Sequence, residues 1–267
     1  MSSYQEILAM WQTFDVKTQA DIEQRLDNFK ILFAYHSGKI ENNEIDYHDT
    51  REVFEHGRVT SYQGMPRTLF EQQNQKTCYE FLLPHLEAKT PLTVNFIKEI
   101  HRVLTEGTYD ERRYIQNGER PGTFKMADYV TGIHEVGSAP EDVAKDFDDL
   151  LNEINEANPQ ITLENVLKVA TYFHARFEAI HGFADGNGRL GRTLLNYFLM
   201  LHNHPPLIVF EEDCRDYYLG LQKYDESEEI NFLHVFFISQ VEKTWKKQLD
   251  LFKGKQQSIS KKLKDII

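Results

Sequence analysis

Cysteine is scarce in this chain: Cys78 and Cys214 are the whole complement of 267 residues. Two thiols so far apart provide neither a disulfide framework nor a paired metal-ligand set, and a reduced, cytoplasmic setting is the simplest expectation. Positive charge is in deficit as well. A net charge of −12 removes a broad basic face, and with it nucleic acid as an expected partner, while leaving room for a small cationic pocket. No apolar run reaches the ~18 residues that a spanning helix needs, so no membrane partner is expected. The opening MSSYQEILAMWQTFDVK lacks the basic flank and apolar centre of a signal peptide. The phosphate-binding pattern GxxxxGK[ST] is absent too. His202 and His204, the most suggestive histidine pair, have no acid or cysteine ligand set beside them and read as structural.

What is present is helical periodicity. Ile22, Leu26, Phe29, Phe33 and Ile40 share one stripe, and Leu92, Phe96, Ile97, Ile100, Val103 and Leu104 another, which Gly107 ends. Val143, Phe147, Leu150, Leu151 and Ile154 make a third. The clearest runs through Leu163, Val166, Leu167, Ala170, Phe173, Phe177 and Ile180, and Leu190, Leu194, Tyr197, Phe198 and Leu201 follow it, stopped by Pro205-Pro206. Tyr217, Tyr218 and Leu221, then Phe232, Val235 and Phe236, suggest two more helices. Residues 120–136 break the pattern: RPGTFKMADYVTGIHEV sets β-formers between glycines and predicts a short hairpin. Without repeats or low-complexity linkers, the expectation is a single all-α domain in three stretches. These are an N-terminal helical region (1–90), a core (91–225) and C-terminal helices (226–267) that end in a lysine-rich, solvated tail.

One stretch exceeds what a helix–helix turn requires. In HGFADGNGRLGR, residues 181–192, Gly186 and Gly188 let backbone N–H groups converge where the next helix begins, a ready-made anion site. Arg189 and Arg192 stand in its first turns, where arginine opposes the helix dipole. That local cost is best explained by an anion between them, with guanidinium forks matched to phosphate oxygens. Asp185 can hold Mg²⁺ beside phosphates. His181 is a candidate general base, and Phe183 reads as the apolar anchor of the loop. Singly, a histidine at a helix end, a DGNG turn or two surface arginines need no function. Their coincidence within twelve residues points to phosphoryl or nucleotidyl transfer.

These residues match the motif H-x-F-x-[D/E]-G-N-G-R-x-x-R at His181, Phe183, Asp185, Gly186, Asn187, Gly188, Arg189 and Arg192, and here the sequence resembles the Fic (filamentation induced by cyclic AMP) family. A second stretch, SGKIEN, fits that family's inhibitory pattern [S/T]-x-x-x-E-[G/N] at Ser37, Glu41 and Asn42. It resembles the class whose inhibitory helix precedes the core in the same chain. The likeness runs from about Ser37 to about Tyr224, with Gly182 where many members carry proline.

The resemblance implies an all-α Fic fold with a short β-hairpin flap beside the active site. It also implies transfer of AMP from ATP to a Ser, Thr or Tyr hydroxyl of a target protein, and to the chain itself, with Mg²⁺ as cofactor. On that likeness His181 is the base and Asp185 the metal ligand. Gly186, Asn187, Gly188, Arg189 and Arg192 bind the phosphates, and Tyr217, Tyr218 and Leu221 line an adenine pocket. Gly122, Thr123, Phe124, Lys125 and Val130 belong to the flap that aligns the target segment. Glu41, sharing a helix face with Ser37, competes with the γ-phosphate for Arg192. Relatives often dimerise, so a homodimer is a further expectation. Other readings stay open: transfer of another nucleotide or of phosphate, Glu41-dependent removal of AMP, or a non-catalytic nucleotide-regulated binding module.

Overall fold

Apolar residues three and four apart drive this chain into helices that bury one face each. The computed structural model describes residues 2–131 and 135–264, and among them ten are α-helices: α1 (Ser3–Gln12), α2 (Gln19–Glu41), α3 (Tyr47–His56), α4 (Pro66–Glu87), α5 (Val94–Thr105), α6 (Val143–Ala157), α7 (Val166–Ile180), α8 (Asn187–Leu201), α9 (Cys214–Ser227) and α10 (Asn231–Lys264). The fold is all-helical. None of these helices is long and apolar enough to cross a membrane.

Local chemistry sets the starts. Thr18 and Asp21 form a reciprocal capping box at the head of α2, and the Thr93 hydroxyl accepts the Phe96 N–H at the head of α5. α8 lies at the centre, in contact with α2, α4, α5 and α7. Consistent with that position, it buries Leu190, Leu194, Leu195, Phe198 and Leu199, and also Asn187, Arg189, Arg192 and Asn196. Two arginines in the middle of a core are the first sign that its packing serves something else. On the far side α1 lies against α10, with the Trp11 and Trp245 ring centroids 5.0 Å apart.

One expectation changes. The hairpin expected over residues 120–136 shrinks to a two-residue antiparallel pairing, Val130–Thr131 with Glu135–Val136, in the register Val130↔Val136. Gly122 lies in a turn, Thr123 in a bend, and Phe124 and Lys125 in irregular backbone instead, because this backbone is bonded elsewhere: the Gly122 N–H to His101 and the Lys125 N–H to Gly182. Residues 132–134, where that hairpin would turn, and the last three residues of the tail lie outside the described residues, as does the Val130 side chain. The two further helices suggested around Tyr217–Leu221 and Phe232–Phe236 are α9 and α10, and α10 turns Leu233, Phe236 and Phe237 inward while leaving Val235 64% exposed.

Candidate active site

The loop from α7 to α8 is built by two left-handed residues. His181 ends α7 at φ 47°, and Gly186 precedes α8 at φ 81°, a conformation that a side chain resists. Asn187 closes the loop on itself: its Oδ1 accepts the Phe183 N–H (3.0 Å) and its Nδ2 donates to the Phe183 carbonyl (2.7 Å). Phe183 is fully buried and stacks on His101, with centroids 3.9 Å apart. The Asn187 amide thus shapes the loop, leaving its backbone at the head of α8.

His101, on α5, is a residue that motif reading missed. Its Nδ1 accepts the Gly122 N–H at 2.8 Å, so Nε2 carries the proton and donates to the Asp185 carbonyl, also at 2.8 Å. One imidazole fastens both the 120–129 turns and the catalytic-type loop. The only local signal was a histidine on the apolar face formed by Ile97, Ile100 and Leu104.

His181 sits between two backbone anchors. The Ser138 N–H donates to the Ile180 carbonyl and the Lys125 N–H to the Gly182 carbonyl, both at 2.9 Å. Burial, with Lys125 adding to it, pushes the His181 imidazole down to about 4, so it is a neutral base at physiological pH. Lys125 itself is 2% exposed, and its ammonium has no hydrogen-bond partner among the described residues.

The arginines stand as a pair behind Gly186 and Gly188. Arg189 lies 3.4 Å from Glu71 and 3.7 Å from Asp185. Arg192 is 1% exposed and is held by α2: Nε donates to the Ser37 hydroxyl (3.0 Å), and Nη2 to the Ser37 carbonyl and to Glu41 Oε1, both at 2.8 Å. A Cβ on Gly188 would collide with the Glu41 carboxylate, which therefore lies over the glycine-lined hollow. In this pair Arg189 Nε and Arg192 Nη1 are buried without a hydrogen-bond partner among the described residues, and Arg189 Nη1 has only its ion pair with Glu71. Buried donors left unpaired are costly and call for an acceptor.

The remaining expected residues divide. Asn42, the C-cap of α2, donates to Thr68 (3.0 Å) and Glu71 (2.8 Å) and so joins the cluster. Tyr217 is fully buried, bonded to His174 at 2.9 Å, with Arg192 5.9 Å from its ring. Tyr218 is 47% exposed and Leu221 half-buried, so these three do not share one surface. His202 and His204 form no metal set among the described residues; His204 is buried and bonded to Tyr4 and Pro205.

Burial also makes histidines a pH liability. It pushes His101 and His204 down to about 4 and His174 to about 3, whereas the unfolded chain binds these protons near 6.5. Below 6.5 the unfolded state takes up protons that the folded state refuses, so stability present at pH 7 drains away as pH falls towards 4. Each group contributes a loss on the order of 1 kcal/mol per pH unit in that window. Urea midpoints measured between pH 7 and 5 should therefore fall, and a constant midpoint would contradict this burial.

Comparison with known proteins agrees with this geometry. The Fic/DOC family profile matches residues 91–199. The protein adenylyltransferase Fic of Drosophila willistoni is 29% identical over 225 residues, covering 82% of this chain and 40% of that protein. The protein adenylyltransferase fic-1 of Caenorhabditis elegans is 27% identical over 194 residues, covering 71% and 35%. The chain thus spans well under half the length of these curated relatives. Among solved structures, a Fic domain containing signaling protein from Bacteroides thetaiotaomicron superposes with a TM-score of 0.80 at 23% identity, over 95% of this chain and 97% of that one. A Caenorhabditis elegans Fic-1 fragment gives 0.75 at 22%, over 95% and 72%. Motif, helical frame and family profile converge on one conclusion: residues 91–199 carry a match to the Fic/DOC family, set in a fold similar to that of solved Fic-domain proteins.

Proposed function

We propose that this chain is a protein adenylyltransferase that moves AMP from ATP to a hydroxyl side chain of a target protein and to itself, and that Glu41 holds it inhibited. The observation that carries the reading is the set of buried guanidinium donors on Arg189 and Arg192 that make no hydrogen bond among the described residues, beside a neutral His181. An anion of several oxygens satisfies the first, and an incoming hydroxyl needs the second.

The chemistry follows from charge and proton placement. The hydroxyl oxygen attacks the α-phosphorus while its proton passes to the free ring nitrogen of His181. The bond to the β-phosphate oxygen breaks, and pyrophosphate leaves against the arginines and the head of α8. Lys125, buried and without a hydrogen bond to its ammonium among the described residues, supplies a further cation on the His181 side of the hollow. Asp185 is the residue that would hold Mg²⁺. Its fit is indicated by a cation already beside it, the Arg67 guanidinium at 2.7 Å, and by the small number of carboxylates that Mg²⁺ takes next to phosphates. When bound, the metal would offset phosphate charge. The 120–136 segment serves as the flap, adding its short strand to an extended target segment. Tyr217, Tyr218 and Leu221 flank the adenine side, with Tyr217 acting from beneath through Arg192. A second protomer is an expectation of the resemblance alone, as is a cytoplasmic setting.

The test is intact-mass spectrometry of the Glu41→Gly chain after incubation with Mg²⁺ and ATP, GTP, UTP or CTP in separate tubes. An AMP adduct formed from ATP supports the reading. A phosphate adduct or preference for another base would replace it, and no adduct on the chain or on added lysate proteins would leave a nucleotide-binding module.

A further inference from the structure

Asp185 is held by a residue that the motif does not contain. Arg67 stands beside Pro66 in the first turn of α4, a helix start with no side-chain cap, where a cation opposes the dipole. Its guanidinium spans two carboxylates. Nη2 donates to Asp185 Oδ2 at 2.7 Å, and Nε donates to Glu71 Oε1 at 3.1 Å. The other oxygen of Asp185 accepts the Gly186 N–H at 2.8 Å. Both oxygens are thus engaged, and a second cation at Oδ2 competes with the guanidinium for that oxygen.

Glu71 makes this more than a local pair. It is 4% exposed, lies 3.4 Å from Arg189 and accepts the Asn42 amide at 2.8 Å. One buried carboxylate therefore ties together Arg67, an arginine of the proposed phosphate clamp and the end of α2. A buried acid needs such partners, so removing one redistributes the rest.

We propose that Arg67 is a positioning residue that holds Asp185 in place of the divalent metal and has to be displaced when metal binds. The proposal rests on the nucleotide-transfer reading above. Because Glu71 links Arg67 to Asn42, metal uptake and departure of α2 favour each other, and by linkage the effect is mutual.

The test measures Mn²⁺ binding by its free-ion electron paramagnetic resonance signal, with a non-hydrolysable ATP analogue present, in Glu41→Gly and Glu41→Gly/Arg67→Gln chains. The expected result is half-saturation at a Mn²⁺ concentration about fivefold lower without Arg67, the weight of one partly exposed ion pair. Arg113→Gln controls for charge alone: Arg113 reaches the Ala184 carbonyl (3.1 Å) and pairs with Asp110, so its loss removes a nearby cation without touching Asp185. Equal Mn²⁺ affinity with and without Arg67, or an equal gain in Arg113→Gln, overturns the proposal. If Arg67→Gln fails to fold, Arg67→Lys takes its place, since one ammonium cannot span Asp185 and Glu71. A shift in the same direction is then required, and none overturns the proposal. Failure of every chain to bind Mn²⁺ overturns this inference and the transfer reading together, whereas equal binding sinks the inference alone.

Discussion

Replacing His181 with alanine is expected to lower AMP transfer by about 10²–10⁴-fold while ATP still binds, because a positioned general base contributes that much and the phosphate clamp is untouched. The structural basis is the low proton affinity of the ring. Burial, reinforced by Lys125, keeps His181 neutral until the pH approaches about 4. The parent chain should therefore show kcat/KM flat from pH 8 to about 5 on the acid side, falling only as the imidazole gains its proton. His181→Asn is the companion variant, since asparagine tolerates the left-handed backbone at φ 47° better than alanine does. Radiolabel transfer and calorimetric ATP titration read the two quantities separately. Wild-type labelling in either variant rejects the base assignment; loss of ATP binding along with labelling points to a collapsed loop instead.

Glu41→Gly is expected to raise labelling by about tenfold to a hundredfold. A fully buried pair broken on one side costs roughly 3–5 kcal/mol. The Glu41 side chain is 34% exposed, so solvent screening reduces this to about 1.5–3 kcal/mol. At about 1.4 kcal/mol per tenfold, the stated range follows. The gain should shrink at low ATP, because the two Ser37 bonds to Arg192 remain. Labelling rates of the two chains at saturating ATP decide the matter, and equal rates would remove Glu41 as the inhibitor.

The helical frame was readable wherever a buried face is apolar. Leu92 to Leu104, Val143 to Ile154 and Val166 to Leu201 became α5 to α8 with their stripes inward. α4 was not readable, because it buries Thr68, Glu71, Gln72, Asn74 and Gln75, a pattern that imitates a solvated helix. Among them Glu71 pairs with Arg189 and Thr68 accepts the Asn42 amide, whereas Gln72 and Asn74 bond to Thr50 and to the end of α5, so part of the illegible face is committed to the site. Twelve contiguous residues carried the loop, and a six-residue pattern brought Ser37 and Glu41 to Arg192 across 155 and 151 positions. Arg67 and His101 had no such pattern. Their partners lie 118 and 84 residues away, and only the tertiary fold brings them to Asp185. The flap was overdrawn because β-propensity at Phe124 loses to the backbone bonds around it and to stacking on Phe147, with centroids 5.1 Å apart.

Ser37 grips Arg192 with its main-chain oxygen as well as its hydroxyl, and that fixes the tempo of any release. A rotamer flip of Glu41 takes picoseconds to nanoseconds, yet a peptide carbonyl cannot swing aside without its helix. Unlocking the guanidinium while it stays in place behind Gly188 thus calls for a collective slide of α2, on the microsecond-to-millisecond scale of rigid-element motion. A burst experiment on the parent chain should accordingly begin with a lag.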